Sequence, residues 1–307
     1  MKEKELVCKD GHRLFFREWI PETEPIAVLH LLHGMVEHSL RYDEFANYLN
    51  SLGIVVYAQD HRGHGYTKAE DEKGWFADKN GWSIVASDSW ELDQRIMIEY
   101  PDLPLLLMGH SMGSFLARTM IVKHPDSYAA TIICGTGASQ GLLGKIGYLI
   151  ASSHAKKFGN KMPDKKLDKL SFGSYNKKIV NSKTAYDWLS KDEKEVQKYI
   201  EDPLCGFVCS SRFYMDLIDG VEFANSVDNI QKVSKTMPIL IISGDKDPVG
   251  NYGEGVKKVY SLYKKAGCLD VTLKLVKDGR HEILNETDKA ETMKYIASWL
   301  TSKLGDK

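Results

Sequence analysis

Five residues near the middle of the chain, Gly109-His110-Ser111-Met112-Gly113, carry its strongest chemical signal. A serine between two glycines follows the apolar run Leu105–Met108 and precedes a helical pattern over Met112–His124. That is the context of a sharp strand-to-helix turn, which lifts the Ser111 hydroxyl out at the carboxyl edge of a sheet. The first N–H groups of the helix then favour negative charge beside it, as on a carbonyl oxygen under attack. A serine hydroxyl is a weak nucleophile alone, so this chemistry requires an imidazole base and a carboxylate to orient it.

Among ten histidines, His281 stands apart because it follows the last β-prone run, in the loop Lys277-Asp278-Gly279-Arg280-His281-Glu282. The carboxyl ends of parallel strands are where sheets of this class gather their functional groups. The acid should come from the loop after the preceding strand, Ser243-Gly244-Asp245-Lys246-Asp247-Pro248. Asp247 lies further into that loop and can turn back to His281, whereas Asp245 sits nearer the strand end and suits a turn. Asp60 is an outside candidate. A second oxyanion donor is expected after the first parallel strand, in Leu32-His33-Gly34-Met35-Val36-Glu37-His38: Gly34 permits close approach, and the Met35 N–H would act with that of Met112. Gly34 and His110 are the nearest candidates to line the substrate.

The elements that must position these groups are legible as patterns. Leu6–Cys8 and Leu14–Trp19 read as a hairpin around a tight primed turn at Asp10-Gly11. Unbroken apolar runs follow at Ile26–Leu32, Ile54–Ala58, Leu105–Met108, Thr131–Cys134, Ile239–Ile242 and Val271–Val276. Runs of this kind are strands covered on both faces, hence parallel. Helical patterns lie between them at Tyr42–Leu52, Trp82–Tyr100, Met112–His124, Val256–Lys265 and Lys289–Leu304. The result is an α/β fold with a mostly parallel, doubly wound sheet and an N-terminal antiparallel hairpin. The alternation stops between Gly137 and Lys235, so residues 1–136 and 236–307 are expected to form the core and 137–235 an inserted helical cap.

Composition removes other classes. The chain has 307 residues, 43% hydrophobic and 27% charged, with 41 basic against 42 acidic residues and a net charge of −1, which argues against nucleic acid as a partner. Five scattered cysteines (Cys8, Cys134, Cys205, Cys209, Cys268) do not form a disulfide framework, and the spacing of Cys205 and Cys209 lacks the second pair that zinc would need. The amino terminus has no apolar core of a signal peptide, and no run of about 18 apolar residues occurs. A reducing cytoplasm fits this best. No metal or organic cofactor is implied.

Taken together, these residues resemble the α/β-hydrolase superfamily, in its monoacylglycerol lipase and lysophospholipase branch. The resemblance rests on His33-Gly34 with Glu37-His38 and Arg41-Tyr42, on Asp60-His61-Arg62-Gly63-His64-Gly65, on the serine motif, on Gly244 with Asp247, and on Arg280-His281-Glu282. It implies Ser111, Asp247 and His281 as a triad, backbone donors at Met35 and Met112, and a helical cap after the sixth strand. The chain departs from the pattern at Val36, where a glycine or small residue is common, and a β-branched residue there narrows the loop.

Within the cap, Leu142, Leu143, Ile146, Leu149 and Ile150 recur at helical spacing. This face either packs on the body, or lines an acyl channel through Leu142 and Ile146, or touches lipid. From Lys156 to Lys183 nine lysines stand against two aspartates, a solvated surface or a partner for anionic lipid. The expected activity is hydrolysis of single-chain acyl esters, with a small-molecule ester as partner. An amidase or aminopeptidase would use the same triad but needs carboxylates, for which Glu37, Asp219 and Glu222 are available. A catalytically silent scaffold is the remaining reading, and retention of both Ser111 and His281 speaks against it.

Overall fold

A computed structural model describes residues 1–68 and 70–304. Its strands are β1 (Lys2–Val7), β2 (Arg13–Trp19), β3 (Ala27–Leu32), β4 (Ile54–Gln59), β5 (Leu105–His110), β6 (Ala130–Cys134), β7 (Ile239–Gly244) and β8 (Val271–Val276). They form one sheet in the order β1-β2-β4-β3-β5-β6-β7-β8. β3 to β8 are parallel throughout, while β1 and β4 both pair antiparallel with β2. The helices are α1 (Asp43–Asn50), α2 (Gly81–Glu99), α3 (Met112–Lys123), α4 (Leu142–Phe158), α5 (Lys165–Phe172), α6 (Glu193–Glu201), α7 (Ser211–Asn225), α8 (Val227–Ile230), α9 (Glu254–Lys265) and α10 (Lys289–Lys303).

The apolar runs become doubly buried strands because each sends alternate residues into opposite cores. Leu29, Leu31, Val56, Leu106, Met108, Leu240 and Ile242 face α1 and α10, where Phe45, Leu49, Ile296 and Leu300 meet them. Val28, Leu32, Val55, Leu105, Leu107, Ile239 and Ile241 face α2, α3 and α9, with Leu92, Leu116 and Val259 opposite. All five helices expected outside the 137–235 interval form, within two residues of the expected limits.

Three expectations are corrected. The hairpin turn is not a two-residue primed turn: only Gly11 has positive φ (84°), and Cys8–His12 form a longer loop closed by Cys8 N–H to His12 O (2.8 Å). The Asp10 carboxylate takes the His12 N–H at 3.0 Å, which makes the second positive φ unnecessary. β8 is an edge strand, and only Val276 of its six residues is fully buried. Of the apolar stripe of α4 only Ile150 packs against the core, while Leu142, Leu143 and Leu149 are 73, 72 and 68% exposed. Small residues lie on the packed side: Gly144, Ala151 and Ala155 are buried, and Gly147 faces Ile218 of α7 at ordinary contact distance. α4 therefore lies close on α7 by its small side and turns its leucines outward.

Between β6 and β7 the chain is helical, with α4 to α8 and no strand among the described residues. Arg118 of α3 ties both ends of this interval down. Its guanidinium donates to Gly137 O (3.2 Å) and Thr136 Oγ1 (3.3 Å) at one end, and to Ala224 O (2.7 Å) and Asn225 Oδ1 (2.8 Å) near the other. The side chain is fully buried, and these partners contain no carboxylate.

Packing of α3 on the sheet leaves no room at two glycines. A Cβ on Gly113 would stand 2.1 Å from Leu32 O, and one on Gly109 would stand 2.0 Å from Gly113 O. Because both obstacles are backbone, Gly113→Ala should cost about 3 kcal/mol or more. Urea unfolding measures this, and a variant within about 1 kcal/mol of the parent would contradict the close approach of α3 to β3.

Candidate active site

The groups singled out by sequence all follow carboxyl ends of parallel strands. Gly34 and Met35 come after β3, Ser111 directly after β5, Asp247 after β7 and His281 after β8, so their loops emerge at one sheet edge. Ser111 has φ 53° and ψ −119°, a conformation that side chains avoid and that marks a strained turn. Its N–H is held by Cys134 O at 3.0 Å, and its carbonyl accepts from Ser114 N–H (2.9 Å) and Ser114 Oγ (2.6 Å).

Asp247 is fully buried and its Oδ2 lies 2.9 Å from His281 Nδ1. Ser243 Oγ donates to the same oxygen at 3.1 Å and Val249 N–H to Oδ1 at 2.8 Å, so the carboxylate is fixed from three sides. Asp245 instead faces Lys246 and is partly exposed. Asp60 is taken up by structural contacts, accepting from Ser39 N–H (2.8 Å) in the loop after β3 and from Tyr66 N–H (2.9 Å) in its own turn. Ser111 and His281 both abut the Cys134-Gly135 segment: a Cβ on Gly135 would be 3.2 Å from His281 Cε1. Ser111 Oγ and His281 Nε2 are not hydrogen-bonded to each other here; bonds of this type commonly close only around substrate.

The facing loop is built to present an N–H. His33 Nδ1 donates to Gly34 O at 2.7 Å, so the Gly34–Met35 peptide turns its carbonyl into that ring and its N–H to the opposite side. Neither Met35 N–H nor Met112 N–H has a partner among the described residues. Gly34 is tight against the serine, a Cβ there lying 3.2 Å from Ser111 Cβ. Val36 has φ 52°, a left-handed conformation that a β-branched residue rarely adopts, which explains why a glycine is at home in this place. Its carbonyl is held from the helical interval by Gly206 N–H (3.0 Å) and Tyr199 OH (3.2 Å).

The sequence offers Arg41 and Glu282 only as parts of motifs, and Glu37 beyond that only as a carboxylate for an amidase. They form the buried framework of the site. Glu37 Oε1 accepts from Gly34 N–H (2.5 Å) and Tyr42 OH (2.8 Å), and lies 3.4 Å from His110 Nδ1. Arg41 Nη1 donates to Glu37 Oε2 (2.9 Å), and its guanidinium forks onto Glu282 at 2.5 and 2.7 Å. His110 Nε2 reaches His281 O at 3.2 Å. Burial opposes charge on His110, but the Glu37 carboxylate outweighs it and holds the ring above the ordinary imidazole range. Glu37 and Glu282 are held low despite burial, Glu37 chiefly by His110 and Arg41, Glu282 by Arg41. The Glu37–Arg41 spacing of four was the only sequence signal; Glu282 is 241 residues away from Arg41.

Leu142 and Ile146 stand on the exposed side of α4. Trp188, by contrast, packs its ring 5.1 Å from that of His281 and gives its carbonyl to His281 N–H at 3.2 Å. Glu37, Asp219 and Glu222 do not converge: Glu37 is consumed in the network above, while Glu222 bonds to Ser139 from α7.

An eight-stranded sheet of this order, with these groups on its carboxyl edge, defines an α/β-hydrolase. Residues 23–288 match the family model described as serine aminopeptidase, S33, and the chain belongs to that family. It is 27% identical to a monoglyceride lipase of Homo sapiens, over 97% of this chain and 90% of that one. It is 28% identical to a monoacylglycerol lipase of Mycolicibacterium smegmatis, over 96% and 95% of the two chains. The crystal structure of a highly thermostable carboxyl esterase from Bacillus coagulans, in complex with glycerol, superposes with a TM-score of 0.91 at 30% identity, over 99% of each chain.

Beside the site, three stacked histidines are buried neutral. His33 Nε2 accepts from His61 N–H (3.0 Å), His61 Nε2 donates to His33 O (3.1 Å), and His64 sits among Phe76, Phe207 and Phe213. Burial pushes His33 down to about 3, His64 to about 4, and His61 well below its usual value. Unfolded, each binds a proton near pH 6.5, so the unfolded chain takes up as many as three more protons than the folded one. The stability these three rings control is therefore fully present above about pH 7 and falls by up to about 4 kcal/mol per unit between roughly pH 6 and 4. Urea midpoints at pH 7 and 5.5 check this; equal midpoints would refute it, and His64→Phe should shallow the slope by about a third.

Proposed function

We propose that this chain hydrolyses carboxylic esters of single acyl chains, monoacylglycerols first and lysophospholipids as related substrates, through an acyl-enzyme on Ser111. His281 Nε2 takes the Ser111 proton as Oγ attacks the ester carbonyl, while Asp247 holds Nδ1–H and stabilises the imidazolium. The Met35 and Met112 N–H groups receive the oxyanion. Collapse releases the alcohol, which takes its proton from His281; water activated by the same ring then cleaves the acyl-enzyme. The observation that carries this reading is the Asp247–His281 bond of 2.9 Å beside a strained serine on the same sheet edge. The names of the relatives, monoglyceride lipases among them, favour the same substrate class.

Residues 137–235 act in this reading as a cap over the site, with Gly34 and His110 beneath it near the reacting ester. The outward leucines of α4 form an apolar patch flanked by exposed Lys156, Lys157, Lys165 and Lys166, suited to transient contact with a lipid surface. Leu142 and Ile146 would meet the acyl chain as it leaves that surface. Five unpaired, buried thiols suit the cytoplasm, and among the described residues no helix is long and apolar enough to cross a membrane. The family description favours an aminopeptidase as the second reading, but a peptidase must bind an α-ammonium group, and Glu37 is already neutralised by Arg41.

A fluorophosphonate probe should label the parent chain and not Ser111→Ala, whose turnover of monoacylglycerol should fall by at least about 10³-fold. Asp247→Asn should lower kcat by about 10⁴-fold with the fold intact. Labelling retained in Ser111→Ala would refute the nucleophile, and faster cleavage of an aminoacyl amide than of a medium-chain monoacylglycerol would favour the peptidase.

A further inference from the structure

The spacing of Cys205 and Cys209 offers no zinc site, yet the fold brings a different set to Cys205. His38, from the loop after β3, and Asp202 and Cys205, from the turn after α6, place a ring nitrogen, a carboxylate oxygen and a thiol sulfur within 4.8 Å of one another. His38 Nε2 lies 2.8 Å from Asp202 Oδ2, and the other ring nitrogen is buried with no partner. His38 and Cys205 are nearly inaccessible, while the Asp202 carboxylate is 29% exposed and opens the cluster to solvent.

We propose that His38, Asp202 and Cys205 form a binding site for a thiophilic divalent cation, Zn²⁺ being the natural occupant, with water as the fourth ligand. A thiolate, an imidazole and one carboxylate within 4.8 Å of one another select Zn²⁺ and Co²⁺ over the oxygen-seeking Mg²⁺ and Ca²⁺, and the metal would take the place of the proton between His38 and Asp202. The charge closes as well. Binding releases one proton from the Cys205 thiol, and dication, thiolate, carboxylate and neutral imidazole then sum to zero. The nearby Arg41 does not repel the cation appreciably, because two carboxylates, Glu37 and Glu282, face it at contact distance.

The site joins two segments that already touch. Val36, two residues before His38, takes hydrogen bonds from Gly206, the residue after Cys205, and from Tyr199. A bound metal adds a direct link between the strained Val36 loop and the turn after α6, distinct from the serine, aspartate and histidine of the reaction.

Titration of the chelator-treated full chain with Co²⁺ tests the proposal. A thiolate-to-cobalt charge-transfer band should appear, saturate at one Co²⁺ per chain and vanish when Zn²⁺ is added. Cys205→Ser should abolish the band, and Asp202→Asn, at the solvent-facing ligand, should weaken binding at least about tenfold. Cys209→Ser, which removes the neighbouring buried thiol, should leave it intact. Excess Zn²⁺ should raise the melting temperature of the parent by a few degrees and leave that of Cys205→Ser unmoved. Absence of the band in the parent, or its survival in Cys205→Ser, overturns the site.

Discussion

A serine held at φ 53° and ψ −119° is the constraint around which the rest is arranged. Such a conformation costs about 1–3 kcal/mol and persists only where its surroundings leave no alternative. Here the N–H of Ser111 is fixed by the neighbouring strand, its carbonyl by Ser114, and the glycines on either side allow helix and strand backbones to approach within a distance no side chain would tolerate. The opposite loop repeats the pattern at Val36, with φ 52°. There the restraint comes from the helical interval, through Gly206 and Tyr199, so that interval helps to shape the loop it covers.

Beneath these two loops lies one buried polar network, in which Glu37 contacts both His110 and Arg41 and Arg41 forks onto Glu282. Losing one member would strand the others without compensation, typically at a cost of about 3–5 kcal/mol. The arrangement also has a geometric effect. Glu37 grips the Gly34 N–H, His110 touches the His281 carbonyl, and Glu282 adjoins His281 in sequence, so one polar cluster fixes the spacing between the loop after β3 and the loop after β8.

Much of this was legible because period and position carry physical meaning. Continuous apolar runs marked the parallel strands, and the loops after them held a serine, an aspartate and a histidine in chain order. Asp247 could be preferred over Asp245 from its depth in the loop alone. The remainder depends on contacts that no local window contains. Nothing near Glu282 announces Arg41, and nothing near Cys205 announces His38, more than 160 residues earlier. The orientation of α4 was hidden for a different reason: its leucines dominate the apolar pattern, yet the side that packs carries Gly144, Ala151 and Ala155. The hairpin turn misled because an aspartate side chain replaced the backbone geometry that Asp-Gly usually adopts.

Arg118 has a consequence for how this molecule tolerates exchange of parts. One guanidinium, with no carboxylate among its partners, places both its terminal nitrogens on carbonyl, hydroxyl and amide oxygens at the two roots of the helical interval. A foreign segment spliced between residues 137 and 235 inherits that obligation. Unless it returns acceptors to the same places, the host is left with a naked cation in its interior, so the modularity suggested by the chain order is conditional on a single side chain outside the module.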